Sequence, residues 1–125
     1  MRQYTSKEQT AKLIELGLPK PKSISGYCQR SPYVYDAESN TKMVVYDDTQ
    51  YPIYAYSIGE LIEMLPSALS LNNDEDCEFH LMLFDDSLYW HVRYVDSCYS
   101  TLAIELIDAL FDMVIKLKEE GIIQL

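Results

Sequence analysis

Two histidines are the side chains best placed for chemistry, and the chemistry they suggest is metal binding. His80 and His91 flank a β-hairpin pattern, Phe79–Phe84 followed by Ser87–Val95. A two-residue turn at Asp85–Asp86 would place the two imidazoles directly opposite each other, with Cβ atoms about 5 Å apart. Such a pair binds a transition metal when a carboxylate or water completes the shell. The sequence therefore predicts a candidate metal site at His80 and His91, or alternatively two half-exposed histidines on a solvated sheet face.

No other group of residues has the spacing of a catalytic site. Cys98 is close in sequence to His91 and Asp96, which would suit a thiolate nucleophile only if folding brought them together. The four glycines are scattered, so they form no phosphate-binding loop. The odd number of cysteines and their wide spacing indicate reduced, partly buried thiols: Cys28, Cys77 and Cys98. We expect no cofactor and no catalytic residue, and we lean towards a protein that is not an enzyme.

Tyrosine is unusually frequent, with 11 copies, and four of these repeat at a spacing of two residues. That spacing places side chains on one face of a strand. Tyrosine offers a large apolar surface with a polar tip at low entropic cost, so protein interfaces use it often. The pattern predicts an interaction surface, or alternatively half-buried strand faces, at Tyr33 and Tyr35 and at Tyr54 and Tyr56.

Charge is distributed unevenly along the chain. The net charge is −10, but residues 1–35 carry +4 and residues 36–125 carry −14. The basic arm can lie on the acidic body and neutralise part of it, or the body can present an acidic face to a basic partner. An acidic body argues against direct nucleic-acid binding, since phosphate contacts require a basic surface.

Local signals in the first half of the chain predict two helices and two strands. A capping box at Thr5 and Glu8 begins a helix over about residues 6–16. The basic, proline- and serine-rich residues 18–32 are typical of an exposed strap. A second capping box, at Ser57 and Glu60, begins a short helix that packing must stabilise. Strands are predicted at Tyr33–Tyr35 and Met43–Tyr46, and the apolar residues of the second helix are Ile58, Leu61, Ile62 and Leu65.

The second half of the chain predicts a hairpin covered by a long helix. An even-numbered hairpin loop keeps apolar side chains on one face, which would contact the last helix through Trp90. That face holds Phe79, Leu81, Leu83, Leu88, Trp90, Val92 and Tyr94. The last helix, predicted over Thr101–Leu117, is apolar except for one stripe: Glu105, Asp108, Asp112 and Lys116. So wide an apolar arc predicts a helix that is deeply buried or shared with a second subunit.

Four segments together resemble small uncharacterised proteins of gut Bacteroidales, some of them associated with prophages or other mobile elements. The segments are Tyr4–Gly17, Tyr56–Pro66, Glu105–Ile123 and the W-x-V-x-Y pattern of the Leu88–Val95 strand. The resemblance covers about half of the chain and implies a cytoplasmic bacterial or phage protein. It implies no activity and no site residues, because the matched positions are helix caps and core residues.

Together these features predict a single α+β domain over residues 1–125. We expect an antiparallel sheet of about four strands, including the hairpin, packed by an N-terminal, a short middle and a long C-terminal helix. No segment has the length of a membrane span, so we expect a cytoplasmic protein. The function most consistent with the sequence is a non-catalytic protein-interaction module that binds a protein partner or a second copy of itself. The alternatives are an acidic decoy that imitates nucleic acid to occupy a basic host protein, and a metal protein or enzyme built on His80 and His91.

Overall fold

A computed structural model describes residues 2–29, 33–36, 41–44, 50–70, 78–95 and 97–123. This part of the chain contains three helices and eight strands. In chain order they are α1 (Lys7–Glu15), β1 (Ser23–Gln29), β2 (Tyr33–Asp36), β3 (Thr41–Val44), β4 (Gln50–Ala55), α2 (Ile58–Met64), β5 (Ala68–Ser70), β6 (Glu78–Asp85), β7 (Trp90–Tyr94), β8 (Ser100–Ala103) and α3 (Leu106–Glu119).

The strands form antiparallel sheets, which confirms the predicted α+β class. The main sheet has four strands in the order β5-β6-β7-β8, and two separate ladders pair β1 with β4 and β2 with β3. The predicted strand at Tyr33–Tyr35 corresponds to β2. Met43 and Val44 of the second predicted strand lie in β3, and its last two residues, Val45 and Tyr46, lie outside the described residues.

Helix α1 begins one residue later than the capping pattern predicted. Ser6 is the N-cap, and it exchanges hydrogen bonds with Gln9 in a capping box. The prediction of Thr5 and Glu8 as the capping pair was therefore wrong, because the Thr5 hydroxyl is buried and contacts Thr10. The predicted stop is confirmed, since Gly17 has a φ of 88° just beyond the helix.

Helix α2 has the predicted capping box between Ser57 and Glu60. Leu61 and Leu65 are buried and Ile58 packs against the core, as expected for a helix stabilised by tertiary contacts. Ile62 was also predicted to pack against the core, but it is exposed because it lies on the solvent side of the short helix.

The described part of the predicted strap, residues 18–29, is not simply exposed. Seven of them, Ser23–Gln29, form β1, which pairs with β4 through a register irregularity between Ile24 and Gly26. Leu18 is buried, and the Lys22 amide donates to Glu60. The strand forms by pairing with residues 21 to 32 positions further along the chain, which local composition does not reveal.

The β6–β7 hairpin has the predicted parity but a different turn. Leu83 pairs with Val92 and Leu81 with Tyr94, so Phe79, Leu81 and Leu83 share a face with Trp90, Val92 and Tyr94. The tip of the turn is Ser87–Leu88, two residues beyond the predicted Asp85–Asp86, and the Asp86 amide donates to the Tyr89 carbonyl across it. Leu88, which was assigned to the core face, is consequently 75% exposed.

The start of the predicted last helix is a strand. Ser100–Ala103 forms β8 against β7, and α3 begins only at Leu106. Thr101 and Ala103 pair with Val92 and Trp90, so they extend the sheet face that α3 covers. The end of the helix agrees with the prediction, because Gly121 follows it with a φ of 74°.

Helix α3 is covered by its own chain. It packs on β7, β8 and α2, and seven of its side chains are buried: Leu106, Ile107, Ala109, Leu110, Met113, Val114 and Leu117. The remaining core residues come from elements throughout the sequence, among them Leu13, Tyr56, Leu61, Val92 and Tyr94. Of the two predicted explanations for the wide apolar arc, deep burial within one chain is therefore the correct one.

Replacing Trp90 should reveal which face of the hairpin is core. Trp90 packs against the core cluster, whereas the adjacent Tyr89 is exposed in the turn. We expect Trp90→Ala to lower the free energy of unfolding by about 3 kcal/mol or more, and the matched Tyr89→Ala to lower it by less than about 1 kcal/mol. Urea unfolding followed by circular dichroism measures both; equal effects would contradict this register.

Candidate functional site

The hairpin register separates the two histidines that were predicted to bind metal. His91 lies opposite Phe84, and their rings stack at 4.5 Å with an interplanar angle of 3°. His80 lies opposite Val95, whose amide donates to the His80 carbonyl. Four strand positions therefore separate the two imidazoles, roughly 13 Å at the usual rise per residue. The opposed geometry behind the metal prediction was wrong, because the turn lies two residues later than Asp85–Asp86.

Asp86 organises the hairpin turn instead. One carboxylate oxygen accepts hydrogen bonds from the Leu88 and Tyr89 amides, and the other lies 2.7 Å from His91 Nε2. The Asp85 carboxylate likewise accepts from the Ser87 amide, and Ser87 has a φ of 81°. The hydrogen bond from His91, followed by those from the two amides, lowers the pKa of Asp86 to about 2. Asp85 and Asp86, which were predicted to form the turn, thus lie before it and stabilise it through their carboxylates.

The Asp86 titration tests this arrangement. The pKa of Asp86 is depressed in the folded chain. The contacts of its carboxylate therefore stabilise the fold at pH values above the ordinary aspartate pKa, and this stabilisation is lost as the pH falls towards about 2. We expect NMR to place the carboxyl midpoint of Asp86 at about 2. His91→Phe keeps a ring beside Phe84 but removes the hydrogen bond, so the midpoint should rise. An unchanged midpoint would contradict the assigned role of His91.

The other chemical candidates do not converge on a site. Cys98 is free and exposed rather than partly buried, and it lies beyond the Tyr94–Tyr99 pair at the opposite end of β7 from His91. Cys77 and Asp96 lie outside the described residues. The acidic stripe of α3 is partly engaged by the N-terminal arm, since the Arg2 guanidinium contacts Asp108 at 3.2 Å and the Arg2 amide donates to Glu105.

Of the four predicted interaction tyrosines, the structure places one at an open surface. Tyr54 is 51% exposed, whereas Tyr56 is completely buried, with its hydroxyl donating to the Pro19 carbonyl. Burial raises the pKa of Tyr56, and the nearby Glu60 charge adds to the effect. Tyr56 therefore belongs to the core and was wrongly assigned to an interaction row. The backbones of Tyr33 and Tyr35 lie in β2, and their side chains lie outside the described part of the structure.

Tyr54 lines an open groove between α1 and the β1–β4 ladder, which we call the α1 groove. The groove has a volume of about 540 Å³, and a depression of about 400 Å³ continues it past Thr10, Ile14 and Tyr54 to Lys20 and Pro21. The residues that line the main part are Thr5, Lys7, Thr10, Ala11, Ile14, Ser25, Ile53, Tyr54 and Ala55.

The α1 groove has an apolar floor and a basic rim. Lys7, Ala11 and Ile14 follow each other at helical spacing on the exposed side of α1. Ile14 is 39% exposed and Ile53 is 44% exposed, so this apolar surface faces solvent in the isolated chain. Among the described residues that line the groove and its extension, every charged side chain is a lysine, namely Lys7 and Lys20.

A chain of buried hydrogen bonds holds the two walls of the groove together. The Tyr56 amide donates to the Thr5 hydroxyl at 3.0 Å. The Thr5 and Thr10 hydroxyls are 2.7 Å apart, and the Thr10 hydroxyl donates to the Ser6 carbonyl. The Thr5 amide also donates to the Tyr56 carbonyl. These contacts fix α1 beside the end of β4 and leave its Lys7–Ile14 side uncovered.

The Thr5 hydroxyl should be required for stability. Thr5→Val keeps the shape of the side chain but leaves the buried Tyr56 amide without its acceptor. We expect a loss of about 1–3 kcal/mol in the free energy of unfolding, against less than about 1 kcal/mol for Thr5→Ser, which retains the hydroxyl. Chemical denaturation compares the two variants, and a Thr5→Val protein as stable as wild type would show that this contact does not position α1.

Comparison of the chain with protein-family models, with curated proteins and with solved structures gave no match. Within the described residues, no three or more His, Cys, Asp or Glu side chains are grouped closely enough to hold a metal ion. The same part of the chain has no helix with the length and apolar character needed to cross a membrane.

Proposed function

We propose that the protein is a non-catalytic protein-interaction module that holds an acidic, amphipathic segment of a partner protein in the α1 groove. The observation that carries the proposal is an apolar floor open to solvent between two lysines. Ile14, Ile53 and Tyr54 come from two elements and form one exposed surface. Contiguous exposed apolar surface of this kind is typical of sites that bind other proteins.

The continuation of the groove into a second depression favours a peptide segment over a compact small molecule. Its two parts share Thr10, Ile14 and Tyr54, with Lys7 at one part and Lys20 at the other. A segment with apolar side chains at its centre and carboxylates on both sides would satisfy the floor and both lysines. Helices and extended peptides both bind such grooves through regularly spaced apolar anchors.

Charge supports an acidic partner. Both lysines of the groove and six of the nine residues that line its main part come from residues 1–35, which carry +4, whereas residues 36–125 carry −14. A basic site on an otherwise acidic protein attracts an acidic segment to one place and repels it elsewhere, which favours specificity and the rate of association.

The acidic-decoy alternative is less well supported by the described contacts. Asp108 and Glu105 are bonded to the chain's own Arg2, and Asp86 to its own His91 and amides. These carboxylates are already engaged, whereas phosphate mimicry requires carboxylates that remain available to a basic partner. A cytoplasmic location, and an origin in gut Bacteroidales or their mobile elements, stay predictions from sequence.

Selection from a phage-displayed library of linear peptides tests the proposal. We expect the wild-type protein to enrich peptides in which Asp or Glu flanks Leu, Ile, Phe or Trp. The strongest peptide, labelled with fluorescein, would then be measured by fluorescence anisotropy against variants. Tyr54→Ala should weaken binding by about tenfold or more, as expected for an aromatic anchor. The matched Tyr27→Ala, an exposed tyrosine on β1 that does not line the groove, should have little effect.

A second matched pair tests the role of charge. Lys7→Glu should weaken binding of the same peptide and reduce its salt dependence, because the substitution removes a rim cation. Lys12→Glu makes the same change on the same helix but does not line the groove, so it should retain most of the affinity. Enrichment of neutral or basic peptides, or equal losses within each pair, would contradict the proposed function.

A further inference from the structure

One edge of β4 forms part of the α1 groove. β4 pairs with β1 on its other edge, and no further strand of the described residues joins this ladder. The Ser25 hydroxyl of β1 donates to the Ile53 carbonyl at 3.2 Å, so the backbone groups of Ile53 point towards β1. Because these groups alternate in direction along a strand, the amide and carbonyl of Tyr54 point away from β1. Ile53, Tyr54 and Ala55 all line the groove, although consecutive side chains project to opposite faces, so the groove runs along this edge.

A proline supports the same assignment of the edge. Pro52 lies two positions before Tyr54, so its nitrogen, which carries no hydrogen, also lies on the side away from β1. Proline is tolerated in a strand at such edge positions, because no hydrogen bond of the ladder is lost there. The open edge therefore offers three hydrogen-bonding groups to another backbone, namely the amide and carbonyl of Tyr54 and the carbonyl of Pro52.

The chain itself begins to pair with this edge and then turns away. The Thr5 amide donates to the Tyr56 carbonyl, and the short segment around Thr5 runs antiparallel to the chain that follows β4. Tyr56 lies two positions beyond Tyr54, so Thr5 occupies the same edge. Continued pairing would place the next residues opposite Tyr54, but Ser6 caps α1 and the chain leaves the strand as a helix. The α1 groove lies between that helix and the stretch of edge that its departure leaves uncovered.

We propose that the partner segment binds in the α1 groove as an extended strand added to β4, beginning where the chain's own pairing at Thr5 stops. The inference rests on the proposed function, because it specifies the conformation in which the acidic, apolar-centred segment is held. The segment exchanges two backbone hydrogen bonds with Tyr54 and donates a third to the Pro52 carbonyl. Side chains at every second position then contact the apolar floor at Ile14 and Ile53.

The open backbone groups favour a strand over a helix as the bound form. A helix satisfies its own amides and carbonyls, so it would cover the Tyr54 amide without giving it a partner. Covering a backbone amide in this way is unfavourable, whereas an added strand supplies the missing acceptor and donor. The choice of an acidic segment follows from charge, since Lys7 and Lys20 are the charged side chains among the described residues that line the groove and its extension.

Backbone methylation of the bound peptide tests the proposal. The probe is the strongest fluorescein-labelled peptide from the displayed library, remade with one N-methyl group at each position in turn. In either strand direction, the carbonyls of Tyr54 and Pro52 accept from two peptide amides that lie two residues apart. Methylation of either amide should weaken binding about tenfold in fluorescence anisotropy, and methylation of the amide between them should have little effect. A bound helix would instead lose affinity at every methylated position beyond its first turn.

Substitution of Tyr54 separates its backbone from its side chain. Tyr54→Pro and Tyr54→Ala both remove the ring, but only Tyr54→Pro also removes the outward amide. Tyr54→Pro should therefore weaken binding of the unmethylated peptide about fivefold or more beyond the loss caused by Tyr54→Ala. Circular dichroism of the two free variants checks that both retain the fold.

Amide hydrogen exchange of the wild-type chain provides a readout that needs no substitution. Saturation with the peptide should slow exchange of the Tyr54 amide. The matched control is the Tyr27 amide of β1, which lies opposite Pro52 and points to the other edge of the ladder, so its exchange should be unchanged.

The outcomes distinguish this inference from the proposed function. Peptides that bind without the two-residue pattern of methylation, or a Tyr54 amide whose exchange ignores the peptide, would overturn the added strand and leave the proposed function intact. A library that yields no acidic, apolar peptides would contradict both. Self-association of the chain that the peptide displaces would identify a second copy as the occupant and would also overturn the proposal.

Discussion

The C-terminal helix must bury apolar side chains on almost every side, and the rest of the fold is arranged to cover them. Seven α3 side chains are buried, and no single neighbour covers so wide an arc. One face of the four-stranded sheet packs on the helix through β7 and β8, and α2 packs beside it. Leu13, Leu18 and Tyr56 add to the same core from the first half of the chain. Burial at this scale is the main stabilising contribution in a domain of this size.

That constraint determines which surfaces remain available. The sheet faces α3 on one side only, so its other side and its β8 edge remain outside the core. The first half of the chain joins the core through Leu13, Leu18 and Tyr56. The Tyr56 amide is bonded to Thr5 and its hydroxyl to Pro19. Those contacts orient α1 with Thr10 and Leu13 inwards and Ile14 outwards. The α1 groove is a consequence of this orientation.

Features of the fold that depend on neighbouring residues could be predicted from the sequence. The Ser57–Glu60 capping box, the glycine stops after α1 and α3, and the face on which Trp90 and Val92 lie all follow from short-range rules. The position of the hairpin turn did not follow, because Asp85 and Asp86 are typical turn residues but in this chain accept hydrogen bonds from the turn. Ser87 adopts the positive φ usually occupied by glycine.

Features that depend on distant partners could not be predicted. Ser23–Gln29 is a strand because it pairs with β4, and Ser100–Ala103 because it pairs with β7, although its composition also suits a helix. The α1 groove likewise joins Ile14 to Tyr54, which no spacing in the sequence relates. The exposed stripe of Lys7, Ala11 and Ile14 was a weak signal for it. For the histidine pair the sequence predicted a contact that the structure does not contain. The hairpin turn lies two residues later than predicted, and this separates His80 from His91.

Native-state hydrogen exchange along α3, measured at protein concentrations from dilute to concentrated, tests most directly whether one chain covers this helix. If it does, the amides of Ile107, Leu110 and Val114 exchange only through global unfolding, at rates independent of protein concentration. Faster exchange at these positions on dilution would show that a second subunit completes the core, and would contradict the burial of α3 within a single chain.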